Sequence, residues 1–291
     1  SYVLTLALFM PVSGFLADKF GTKKVFIISL ILFSLGSLLC SLSPNLTFLV
    51  IARVIQGIGG SLMTPVGKLA LIKTFPKKEL LKAMNYAIVP ALIGPVLGPL
   101  VGGYMVDYLS WHWIFLINIP IGIVATLLTL QFVRSPKYAE KKSASDVDWL
   151  GIFLLAITVG SLQYILERGH EDDWFESKVI LTLTLISFFG LIFFIWRELT
   201  YKYPIVELRV LKNGNLRIGT VMSFILGFGL YGSTFIIPLY TQSILGWTAL
   251  QSGALMIPAA LTTAFMMPII GRLLTRGAKQ QVLVALGLFI F

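Results

Sequence analysis

Gly14-Phe15-Leu16-Ala17-Asp18-Lys19-Phe20-Gly21-Thr22-Lys23-Lys24 separates two apolar runs, 1–17 and 25–43, and gathers three lysines and an aspartate into one short turn. Its glycines allow a tight bend and the close approach of a neighbouring helix. The same alternation of apolar run and charged turn continues along the chain. Of the 23 Lys and Arg residues, 19 fall in every second connection between long apolar runs. Arg168 and Lys178 lie in the intervening connections, and Arg53 and Lys68 lie inside an apolar run. Basic residues accumulate in the cytoplasmic loops of membrane proteins, so Gly14–Lys24 is cytoplasmic and the first residues start on the outer side.

A spanning helix needs about 20 apolar residues. Spans are expected near 1–17, 25–43, 46–66, 84–106, 113–133, 149–166, 178–197, 216–240 and 251–273, with a tenth starting near 279. Long continuous runs, without alternation at every second residue, favour helices over a barrel. The expected class is an all-α polytopic membrane protein. Hydrophobic residues make up 57% and charged residues 12%, about half the charge of a soluble domain. The net charge of +10 is spread over five short loops on one side, which suits anionic headgroups better than nucleic acid. Cys40 is the single cysteine, so no intramolecular disulfide can form. Ser1 opens inside a span and Phe291 ends inside one, with no charged segment ahead of the first run. The expectation is a piece of a longer chain whose first run is not a signal peptide.

Three constellations carry chemistry. Asp18 lies at the membrane boundary beside Lys19, Lys23 and Lys24, framed by Gly14 and Gly21. Arg53 lies seven residues into its span, where a guanidinium costs ~2.5–3.5 kcal/mol at the bilayer centre and therefore faces protein or a wet cavity. Arg53, Gly57 and Ser61 recur at helical spacing, with Gln56 and Gly60 on the adjacent stripe. In the next span, Gly94, Gly98 and Gly102 form one ridge without side chains, and Pro95, Pro99 and Gly103 form the ridge beside it. Such a face permits very close helix packing and bending. A short echo, Pro11-Val12-Ser13-Gly14 and Pro268-Ile269-Ile270-Gly271, suggests an internal repeat.

These stretches resemble the major facilitator superfamily. Gly14–Lys24 is similar to its signature loop after the second helix, Arg53–Gly60 to its fourth-helix motif, and Gly94–Gly103 to its fifth-helix antiporter motif. Trp111–Gly122, Glu167–Ser177 and Pro238-Leu239-Tyr240-Thr241-Gln242 resemble the fourteen-span drug/proton antiporters of the EmrB/QacA type. The resemblance implies a partial major facilitator fold, about ten of fourteen helices. Residues 1–133 would be helices two to six of the N-terminal half, 134–213 a linker with two extra spans, and 214–291 the start of the C-terminal half. It further implies proton-coupled export of amphipathic compounds across the bacterial inner membrane by alternating access, without a cofactor. Asp18 and its neighbours would lock the cytoplasmic side, Arg53 would take part in coupling, and Gly94–Gly103 would let the halves rock. Gram-negative relatives work with a periplasmic adaptor and an outer-membrane channel. His112 stands where Arg is common, Thr22 replaces a frequent basic residue, and Thr275 in the echo lacks the carboxylate.

A guanidinium stays charged, so Arg53 cannot itself carry the proton. The carrier is expected to be Asp18 or Asp107, or an acid in a first helix outside this chain, with the last favoured. Gln56, Gln163, Tyr164, Tyr231, Tyr240 and Gln242 are candidate cavity residues through stacking or hydrogen bonds. The alternatives are a uniporter or symporter of the same fold, and a membrane-embedded enzyme. The enzyme reading is poorly served: His112 and His170 are the only histidines, and neither has metal-ligand or nucleophile–base spacing.

Overall fold

The computed structural model describes residues 1–133 and 148–290. The expected cytoplasmic connection 134–147, which opens the presumed linker, lies outside the described residues. Helices account for the architecture: α1 (Tyr2–Phe9), α2 (Val12–Phe20), α3 (Thr22–Ser41), α4 (Leu46–Thr74), α5 (Lys77–Tyr108), α6 (Trp113–Leu116), α7 (Asn118–Phe132), α8 (Trp149–Arg168), α9 (Lys178–Thr200), α10 (Gly214–Ser243), α11 (Ala249–Thr275) and α12 (Gln280–Ile290). Among the described residues seven helices are long and apolar enough to cross a bilayer, or eight if α1 and α2 count as one span.

The first span differs from expectation. The run 1–17 is not straight: α1 and α2 meet at Met10–Pro11 with a bend of 59°. Pro11 has no N–H to continue the helical ladder, and such a site is where helices break. Ser13 stitches the corner, its N–H and hydroxyl both donating to the Met10 carbonyl at 3.2 and 2.6 Å.

The helices group into two compact units. The first comprises Ser1–Leu80 with Phe115–Lys212, and the second Leu81–Ile114 with Asn213–Phe291. In the first unit the dominant contact is α3 against α4, followed by α8 against α9, α3 against α7 and α1 against α4. In the second, α10 packs on α11.

Burial in the first unit follows the logic of a lipid solvent. Ser29, Ser37 and Ser61 are fully buried, while Phe188, Phe193 and Leu128 are exposed. Apolar side chains gain little by leaving lipid tails, so helix contacts are made from small residues that let backbones approach. A Cβ at Gly36 would run into the backbone of Gln56, and one at Gly59 into the backbone of Phe33. The serines return their hydroxyls to their own helix, Ser29 to Phe26 O at 2.7 Å and Ser61 to Ile58 O at 2.7 Å. That satisfies them without a partner across the interface.

Candidate functional site

Arg53 projects from α4 into protein. Its guanidinium carbon lies 4.6 Å from the centre of the Phe115 ring and 5.6 Å from that of Tyr2. Nη1 donates to Gln56 Oε1 at 3.2 Å. Two aromatic faces and an amide oxygen thus hold the cation, and among the described residues no carboxylate pairs with it. A desolvated cation over an aromatic face gains about 2 kcal/mol. The small stripe expected beside Arg53 has a purpose: Gly57 lies against Thr5 and the Tyr2 carbonyl, and Gly60 against the Tyr2 hydroxyl, so α1 lies along it.

Gln56 differs from its expected place on a cavity wall. It is 3% exposed, and its amide nitrogen donates to Ser37 Oγ at 2.7 Å while its oxygen accepts from Arg53. A buried amide with both ends bonded is committed to the α3–α4 contact. The other candidate cavity residues divide between the two units. Gln163 and Tyr164 are exposed on α8, with Gln163 donating to Glu167 at 3.4 Å. Tyr231 and Tyr240 are exposed on α10. Gln242 joins Pro99, Gly102, Gly103, Pro238 and Ser252 around a small cavity of about 200 Å³ in the second unit.

The signature turn occupies one end of the first unit. Asp18 on α2 receives Lys73 Nζ, from the last turn of α4, at 3.0 Å. Lys23 Nζ donates to the Leu130 carbonyl in the last turn of α7 at 2.6 Å, as cations do at helix C-termini. Lys19 leans over Phe15 and Phe20 at 5.6 and 5.2 Å, and Lys24 is exposed. Gly21 has φ +88°, a conformation that suits glycine between α2 and α3. Gly14 lines a cavity of about 360 Å³ shared with Asp18, Asp148, Lys202 and Glu207.

In the antiporter motif the two ridges behave differently. Gly94, Gly98 and Gly102 have open space around the position of a Cβ. Gly103 instead meets the Ala249 carbonyl and Leu250 of α11, and Gly253 of α11 meets the Pro99 carbonyl. The side chain of Pro95 lies outside the described ones. Asp107, just beyond the span, accepts from the Leu250 N–H at 2.9 Å and so supports the N-terminus of α11. That backbone bond, aided by the Thr248 hydroxyl and opposed by slight burial, holds the Asp107 carboxyl below the usual carboxylate range. Thr248 and Gln251 complete a capping box at the same helix start.

Sequence reasoning missed Glu198. Ending the span at 197 left it in a loop, whereas α9 runs to Thr200 and Glu198 is 0% exposed. The signal was the adjacent Arg197, at the same membrane side as Asp148 and across a pair of antiparallel spans.

The family profile described as Major Facilitator Superfamily matches residues 1–291. A Yersinia enterocolitica protein named "Putative multidrug resistance protein MdtD" is 38% identical over 290 residues, covering 100% of this chain and 61% of its own length. The Escherichia coli protein of that name is 36% identical over 285 residues, 98% of this chain and 59% of the relative. The Serratia proteamaculans one is 36% identical over 290 residues, 100% and 60%. The chain spans about three fifths of the length of these curated relatives. Apolar helices of spanning length and a profile match along the whole sequence give one conclusion: the chain belongs to the Major Facilitator Superfamily and is a multi-pass protein of the bacterial inner membrane.

Proposed function

We propose that this chain is part of a proton-coupled transporter that exports amphipathic, drug-like compounds by alternating access. The observation that carries the reading is Arg53: a cation inside a span, held by Phe115, Tyr2 and Gln56, with no carboxylate partner among the described residues. Keeping such a charge in a helix bundle is costly unless it has a task. Its field lowers the cost of ionising an acid that comes near, so it ties proton release to helix position. The names of the relatives favour a drug-like substrate over a sugar or other small solute. The carrier itself is Asp18, Asp107 or an acid outside this chain. Asp18 is engaged with Lys73 and Asp107 with the start of α11. On this reading Asp18 and its lysines secure the cytoplasmic side, and Gly94–Gly103 accommodates the motion. No cofactor is needed beyond the proton gradient, and an adaptor with an outer-membrane channel is a natural partner in a Gram-negative cell.

The test uses everted membrane vesicles from cells producing the protein. Energised vesicles should accumulate a fluorescent amphipathic cation, and a protonophore should release it. Equilibration without accumulation would replace the antiport reading by uniport, and no protein-dependent flux would reject transport of this class.

A further inference from the structure

The densest charge cluster of the first unit lies away from Arg53, where α8 begins and α9 ends. Asp148 caps α8, its Oδ1 accepting the Gly151 N–H at 3.0 Å. The same carboxylate, 1% exposed, receives Arg197: Nε lies 3.2 and 3.1 Å from its two oxygens, and Nη2 3.1 Å from Oδ1. Arg197 also lies over the Tyr201 ring at 3.8 Å. The next residue, Glu198, turns its fully buried carboxyl into the same place. Its Oε2 accepts the Val206 N–H at 2.7 Å, and its Oε1 has no partner among the described residues.

Gly151 shows how close the two acids come. A Cβ there would lie 2.8 Å from Asp148 Oδ2 and 2.9 Å from Glu198 Oε1, so the carboxyls flank one bare backbone position. One guanidinium then faces two acids. Glu207 adds a further negative charge, and Lys202 and the Asp18–Lys73 pair border the adjoining cavity. A buried carboxylate oxygen with neither donor nor counter-charge is strongly unfavourable, whereas a carboxylic acid O–H in that position is a neutral donor beside an acceptor. The cavity of about 360 Å³, lined by Asp148, Tyr203, Pro204 and Ile205, gives water a place at the Asp148 side of the cluster.

We propose that Glu198, beside Asp148 and Arg197, binds one proton taken from water in this cytoplasmic cavity, and that the proton holds the 201–207 segment onto α9. In the step an O–H bond of hydronium breaks and one forms at Glu198 Oε1; loss of the proton reverses it. Without it, two adjacent carboxylates share Arg197, and a charged Glu198 buried beneath the 201–207 segment favours opening that segment to water. Arg209, donating to the Leu199 and Tyr201 carbonyls at 2.8 and 3.1 Å, keeps the far side of the segment in place. This inference concerns the two extra spans and does not rest on the transport reading.

The test is an infrared pH titration of the protein in lipid nanodiscs, with Glu198→Gln and Asp148→Asn variants. Glutamine keeps the acceptor for Val206 and mimics the neutral acid in shape. The wild type should retain a carboxylic acid carbonyl band above about pH 5, where free carboxylates are ionised. Glu198→Gln should lose that band, and Asp148→Asn should shift it. Protection of the 201–207 amides, measured by hydrogen exchange relative to each amide's intrinsic rate at the same pH, should fall at high pH in the wild type and stay constant with pH in Glu198→Gln. Absence of the band in the wild type, including its replacement by a sodium-dependent spectrum, would mean that water or a cation serves Oε1 and would overturn the proposal. A band unchanged in Glu198→Gln, or protection of 201–207 that does not change with pH in the wild type, would overturn it as well.

Discussion

Arg53 and Arg197 make the same first contact, a guanidinium against an aromatic ring, and differ in everything else. Arg53 has Phe115 and Tyr2 on its faces and an amide oxygen as its hydrogen-bond acceptor. Arg197 has Tyr201 on one face and both oxygens of Asp148 in front of it. The first is stabilised without being neutralised, and the second is neutralised in place. A charge of the first kind can respond to an acid that arrives, while a charge of the second kind fixes two helices. The contrast is between a charge left without a carboxylate partner among the described residues and one clamped to its partner.

Breaking the clamp should have the largest effect. Arg197→Ala leaves Asp148 and Glu198 together without a cation, and loss of one partner of a buried pair costs ~3–5 kcal/mol. Thermal unfolding in detergent should register it, and an unchanged Tm would place the pair among inert surface bridges. Arg53→Ala should lower Tm by less, through loss of its cation–π contacts and charged hydrogen bond, while abolishing proton-driven efflux in everted vesicles. Full activity of this variant would remove Arg53 from coupling.

The two ridges of α5 sharpen the same distinction. Gly103→Leu should destabilise by ~1–3 kcal/mol through overpacking against α11, whereas Gly98→Leu should leave Tm near wild type and impair transport more than drug binding. Equal losses of stability would show that both ridges pack statically. The smallest effect is expected at Asp107. Its carboxyl is depressed in the folded protein, so its contribution is present above the ordinary value near pH 4 and is lost as pH falls through the folded value. Asp107→Asn should therefore flatten only the acidic limb of a plot of Tm against pH.

Spans and the inward aim of Arg53 were legible in the sequence because hydropathy and the cost of a guanidinium in lipid are properties of single segments. Pairing is not such a property. Helical phase separated the ridge Gly94–Gly98–Gly102 from the ridge Pro99–Gly103, yet only the fold tells which one meets α11. Gln56 looked like a polar cavity residue and is instead a buried link between Ser37 and Arg53. Pro11 was visible, but a proline can kink a helix or end it, and the 59° break depends on what α2 must reach. Glu198 was lost to a boundary placed a few residues early, the least reliable part of reading a helix from its sequence.

The seam between α3 and α4 carries a mechanical consequence. Ser29 and Ser61 have short hydroxyls tied to their own helices, Ser37 accepts from Gln56 across the seam, and glycines there bring backbone against backbone. Long side chains can absorb sliding by switching rotamers, but Gln56, the long polar side chain at this contact, is held at both ends by Ser37 and Arg53. α3 and α4 therefore travel as one stiff plank, and any shape change that moves cargo across the membrane must be taken up by hinges elsewhere.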